Sequence, residues 1–145
     1  ARLIDRQTLR GIPHHGIERG FKVGKEEIAG LVCALERFVA RDETAHAQAL
    51  GARLAAIAQA LTGTPGLQTR LIEATPRSPI PSLELEVGAR AVALVGQLQQ
   101  GDPPVHVGER LASAGILAIH PQTLRPEDDA VLARCLLNAF RRTSE

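Results

Sequence analysis

The stretch Ser82-Leu83-Glu84-Leu85-Glu86-Val87-Gly88 alternates apolar and acidic residues with a period of two and closes on a glycine. Successive side chains of an extended strand point to opposite faces, so Leu83, Leu85 and Val87 share one face and Glu84 and Glu86 share the other. The segment therefore reads as a half-buried strand, and the rest of the chain has to supply both its neighbours and the layer that covers its apolar side. Upstream, LQTRLIEAT (Leu67–Thr75) is a second strand candidate, separated from the first by the turn-forming run Pro76 to Pro81. The two are expected to pair as an antiparallel hairpin. Glu84 and Glu86 are then the wet face of a strand and not a pair of catalytic carboxylates.

The flanks of this hairpin have a helical period. Ile28, Leu31, Val32, Leu35, Phe38 and Val39 recur at the spacing of one helix face, with Gly24 ahead of them and Glu26 and Glu27 in the first turn. The pattern resumes at Leu50, Leu54, Ile57 and Leu61 and stops at Gly63, after a break near Arg41-Asp42 where Asp42 can cap a new helix. Downstream, Ala89 to Gln100 is helical and ends at Gly101-Asp102-Pro103-Pro104. PVHVGERLA and GILAIHP then read as two further short strands, and PEDDAVLARCLLNAF as a last helix with Pro126 near its first turn. The order helix-strand-strand-helix-strand-strand-helix implies an α+β fold, a small antiparallel sheet with helices on one face. Residues 1–23, with Gly11, Pro13 and Gly16, read as a connecting segment and residues 24–145 as the domain proper.

With 145 residues and 44% apolar side chains, one core is expected. A net charge of +1 and an aromatic set of three Phe argue against direct nucleic-acid binding, which relies on basic stripes and stacking surfaces. No apolar run approaches the roughly 18 to 20 residues of a membrane span, and a cytoplasmic protein is expected. Cys33 and Cys135 lie within helical patterns and lack metal-ligand spacing, so both are expected to be reduced core thiols. The chain starts at Ala1 and contains no methionine, which suggests a piece of a longer polypeptide.

GFKVGKEE (Gly20–Glu27) has the look of a phosphate-binding loop but fails the required pattern. If Gly24-Lys25 were its GK pair, the first glycine would fall at Arg19 and the magnesium-binding hydroxyl at Glu26. Lys25 then reads as a solvated cation. Arg19 and Lys22 lie in a glycine-flanked segment just before a helix N-terminus. They are either two solvated cations or a converging pair for a carboxylate or phosphate. His14 and His15 have no nearby Cys, Asp or Glu to complete a metal site; a place at the rim of such an anion site is one reading of them, and side chains without a role the other. His106, His120, Arg125, Asp128 and Asp129 are accounted for as loop and helix-start residues, and no nucleophile-base set is visible.

The phrase IERGFKVGKEEIAGLVCALERFVARD (Ile17–Asp42) resembles a segment of the pyridoxal-phosphate enzymes that include the selenocysteine synthases and the D-glucosaminate-6-phosphate ammonia-lyases, of aminotransferase type I fold. The likeness is concentrated in Arg19 to Ile28 and is closest to the lyase-like members. It implies that the chain is the small C-terminal domain of such an enzyme. The Schiff-base lysine and most of the pyridoxal-phosphate site would then lie upstream, and no catalytic residue falls within this chain. By the same resemblance, Arg19 and Lys22 contact a small anionic amino-acid or amino-sugar substrate, and the enzyme is a lyase or transferase that assembles as a homo-oligomer. The selenocysteine synthases have an arginine where this chain has Lys22, which points away from selenium transfer. The competing expectation is a non-catalytic α+β module that binds a small anion through the same region.

Overall fold

In the computed structural model, residues 22–142 are described. They fall into two units, one ending at Arg41 and the other starting at Asp42. Helix α1 (Lys25–Ala40) belongs to the first. Gly24 is its N-cap in extended conformation, Glu26 and Glu27 sit in its first turn and Arg37 in its last, all favourable to the helix dipole. The Arg41 N–H closes it on Phe38 O at 3.2 Å, and the Arg41 guanidinium lies 5.2 Å from the centre of the Phe38 ring.

The apolar stripe of α1 was expected to be a buried face, and here the structure differs. The helix buries none of its residues, and Ile28, Leu31, Val32, Leu35, Phe38 and Val39 are 49 to 81% exposed. A 3.6-residue apolar period tells which side of a helix favours leaving water, but it does not specify the wall that receives it. Cys33 is exposed and Cys135 half-buried, so neither is the fully buried thiol that its helical setting suggested. Cys33 lies on the side of α1 away from the stripe.

The second unit is built on the strand foreseen at residues 82–88. Helix α2 (Glu43–Ala60) starts at Asp42, whose side chain accepts a hydrogen bond from Ala45 N at 3.0 Å. Strands β1 (Gln68–Ile72) and β2 (Ser82–Glu86) pair antiparallel, with Arg70 opposite Glu84 and Leu71 opposite Leu83. Helix α3 (Ala91–Gln99) follows, then β3 (Ile116–Ile119), which pairs antiparallel with the other edge of β2, and finally α4 (Asp129–Arg142). The sheet order β1-β2-β3 thus makes the alternating strand the central one.

Alternation decides what each face meets. Leu83, Leu85 and Val87 are at most 4% exposed and join Leu117 and Ile119 of β3 in one core. Leu54 and Ile57 of α2 with Leu61 just past its end, Leu94 and Leu98 of α3, and Leu132, Leu136 and Phe140 of α4 cover them. Each such side chain contributes about 1.5–3 kcal/mol by leaving water. On the other face Glu84 receives a hydrogen bond from Arg70 directly across the ladder, and Arg70 Nε lies 3.8 Å from Glu86 Oε1. The two glutamates are the solvent side of the sheet, as their spacing implied.

One predicted strand is reduced almost to nothing. PVHVGERLA makes a single antiparallel bridge, Gly108 to Ala118, through N–H to O distances of 2.7 and 2.8 Å. The β3 backbone is met by a short extended segment and not by a full fourth strand, because Pro103 and Pro104 cannot donate to a ladder and Gly108 has no side chain to pack.

Two contacts lock the layers. Arg53 on α2 forks onto Asp129 at the start of α4, with Nε to Oδ2 at 2.8 Å and Nη2 to Oδ1 at 2.7 Å, and Nη2 also reaches Leu124 O at 3.1 Å. Gly115 O accepts from both Val87 N and Gly88 N, at 2.9 and 3.1 Å. Gly115 adopts φ +81°, and a Cβ there would lie 2.8 Å from Gly88 Cα. Only a residue without a side chain tolerates both conditions.

Two outcomes are expected. Gly115→Ala should destabilise the fold by about 1–3 kcal/mol, from the left-handed backbone and the clash together. An unchanged thermal midpoint would show that the loop shifts freely. Arg53→Lys, which replaces a fork by a point charge, should cost about 1–2 kcal/mol in chemical denaturation, and the loss should be absent when Asp129 is already Asn.

Candidate functional site

Of the residues expected to form an anion site, Arg19, His14 and His15 lie outside the described residues. Lys22 is exposed in the extended segment leading into α1, and Lys25 is the first residue of that helix and likewise exposed. Gly24 beside them sits against its own acidic first turn, where a Cβ would lie 3.1 Å from a Glu26 carboxylate oxygen and closer still to Glu27. Two carboxylates thus stand at this helix entry, where a phosphate would meet like charge.

The second unit contains a further candidate site. The 105–108 segment, the end of β3 and the first turns of α4 enclose a cleft of about 430 Å³. His106, His120, Thr123 and Asp128 supply its polar lining, with Val105, Leu124 and Val131 among its apolar walls. Gly108 bridges Ala118 in antiparallel register, and His106 and His120, each two residues from a bridged residue, both line the cleft. A Cβ on Gly108 would stand 3.0 Å from His120 Nε2, so the missing side chain gives the imidazole its room. The cleft lies at the sheet edge where full pairing stops.

Asp128 is held by its own turn. Its Oδ2 accepts from Arg125 N at 3.1 Å and Arg125 Nε at 3.2 Å, and its Oδ1 from Arg125 Nη2 at 3.2 Å. These bonds, side-chain first and backbone second, hold the Asp128 carboxyl below the ordinary aspartate range and push the Arg125 guanidinium above its own. Asp129, one residue on, is committed to Arg53, whose guanidinium that hydrogen bond raises further. The two adjacent aspartates therefore have different partners: Asp128 closes a local turn and Asp129 ties two helices.

The sequence signal for this site is the strand-like composition of PVHVGERLA and GILAIHP, each of which carries one histidine. The register that seats both histidines at one cleft is set by the tertiary structure. Among the described residues no group of three or more His, Cys, Asp or Glu side chains could hold a metal ion, and no helix is long and apolar enough to cross a membrane.

Comparison with known proteins bears on most of the chain. No family model matches it. The 5'-C-glycyluridine monooxygenase-decarboxylase of a Streptomyces species is 28% identical over 128 residues, 85% of this chain and 32% of that protein. The D-glucosaminate-6-phosphate ammonia lyase of Salmonella typhimurium strain 14028s is 27% identical over 124 residues, 82% of this chain and 32% of the relative. A solved structure of D-glucosaminate-6-phosphate ammonia-lyase superposes with a TM-score of 0.74 at 23% identity, covering 90% of this chain and 36% of that one. The chain thus spans about a third of the length of the relatives it matches, and its resemblance to the ammonia-lyase extends from sequence to the α+β fold.

A pH effect follows from the Arg125 and Asp128 geometry. A carboxyl whose value is lowered on folding contributes stability above the ordinary aspartate value, and that stability is lost as pH falls through the lower, folded value. In Asp128→Asn the thermal midpoint should fall less steeply below about pH 4 than in the wild type, with little change at neutral pH because the pair is exposed. Parallel acid limbs in the two proteins would deny the pair this role.

Proposed function

We propose that this chain is the small C-terminal domain of a pyridoxal-phosphate-dependent enzyme that carries out elimination or replacement on an amino-acid or amino-sugar-phosphate substrate. The supporting observation is the likeness to an ammonia lyase, which takes in most of this chain and about a third of the relative. Such a proportion is what a small domain attached to a larger one would give. A homo-oligomer and a cytoplasmic setting accompany this reading.

On this reading the cofactor is bound mainly outside this chain. The chain has two lysines, Lys22 and Lys25, and both are exposed at the entry to α1. Pyridoxal phosphate would therefore be held by the two-thirds of the enzyme that has no counterpart here, where it supplies an electron sink for bond breaking next to an amino group. The part of this chain is to hold the substrate. Arg19 and Lys22, three residues apart before α1, would contact its anionic group, the arginine as a fork and the lysine as a point charge, with His14 and His15 at the rim. The exposure of both lysines is equally what a second reading would give, a non-catalytic module that binds a small anion.

The two readings separate in the full-length protein. The enzyme should bind pyridoxal phosphate with a Schiff-base absorption band that disappears on borohydride reduction, and no retained cofactor at saturating concentration would leave the binding module. Lys22→Ala and Arg19→Ala should each raise the substrate KM roughly 10- to 100-fold, the loss expected for one charged hydrogen bond. Unchanged kinetics would return both to solvated cations.

A further inference from the structure

The cleft beside β3 has no part in the reading above, yet it has the attributes of a small-ligand site. We propose that it binds a phosphate monoester, whose oxygens are received by His106, His120 and Thr123. Its volume of about 430 Å³ falls in the range of small-molecule pockets. Two histidines and a threonine line it on the polar side, while Val105, Leu124 and Val131 form apolar walls for the organic part of a ligand.

The donor set selects the ligand class. An imidazole offers one N–H when neutral and two when charged, and a threonine hydroxyl rotates to offer one more. Thr123 Oγ1 is now engaged only by a long contact of 3.5 Å to His120 O, so redirecting it sacrifices little. Three donors suit the three acceptor oxygens of a phosphate monoester. Asp128 is the carboxylate on the cleft wall, and it would repel an anion if left bare. Arg125 binds both its oxygens, through the backbone N–H and two guanidinium nitrogens, and so offsets that charge. A metal ion is the weaker match, because two imidazoles fall short of the three or four protein ligands that hold zinc.

The inference needs no cofactor and does not depend on the reaction of any larger enzyme, so its test uses this chain alone. Histidine ring resonances would be followed by NMR at about pH 6.5 during titration with inorganic phosphate and with glycerol phosphate. Saturable shifts are expected at His106 and His120 and not at His46, which lies on α2. The apparent Kd should rise at least roughly tenfold in His106→Gln and in His120→Gln, with glycerol phosphate bound more tightly than phosphate because it also meets the apolar wall. The Gln variants retain polar side chains at exposed positions, and an unchanged thermal midpoint would confirm that they fold. Equal shifts at all five histidines, wild-type affinity in both variants, or a response to nickel or zinc ions with none to either phosphate would each overturn the proposal.

Discussion

The structure depends on the central position of a strand with two different faces. β2 has hydrogen-bonded neighbours on both edges, so its backbone groups find partners within the sheet from Leu83 to Glu86 while its side chains alternate between oil and water. A slip of one residue in either ladder would carry Leu83 and Leu85 to solvent and force Glu84 and Glu86 into the core, a cost no other contact in the domain could offset. Register is therefore set twice over, by apolar burial below and by the Arg70 ion pairs above.

From that strand the rest of the second unit follows outward. The apolar face calls for a cover, and α2, α3 and α4 supply it with leucines spaced at the helical period. The cover is tied in turn by directional contacts at its edges. Arg53 joins α2 to the start of α4, and Arg90 binds Pro65 O and Gly66 O while its guanidinium stacks 5.4 Å from the centre of Phe140. Both arginines use their planar forks to satisfy several acceptors at once, which a lysine could not do. Where the sheet runs out, next to the reduced strand at Gly108, the packing opens into the cleft that holds the two histidines. The candidate ligand site is thus a product of incomplete pairing: a full fourth strand would have closed it.

Much of this was legible beforehand, and the reasons are particular. The strand at residues 82–86, the cap at Asp42 and the last helix were readable because each rests on local chemistry: a two-residue period, a side-chain oxygen placed before a helix, a proline and acidic residues at a helix start. The fourth strand was over-read because PVHVGERLA has strand-like composition, while its pairing depends on what the prolines and Gly108 leave available to a neighbour. The exposed stripe on α1 was over-read for a different reason, since amphipathicity is a property of the helix and burial is a property of its partner.

By itself, the sequence determined the period of each element, the α+β class, the failure of GFKVGKEE as a nucleotide loop and the resemblance to the ammonia-lyase group that the comparisons share. All of these are set by near neighbours along the chain. Only the tertiary structure decided that Asp128 and Asp129 serve different arginines, that Gly115 must approach Gly88, and that His106 and His120 face one cleft. Those relations join residues distant in sequence or separate adjacent ones. They follow from the register of β3 and the seating of α4, which no local spacing encodes.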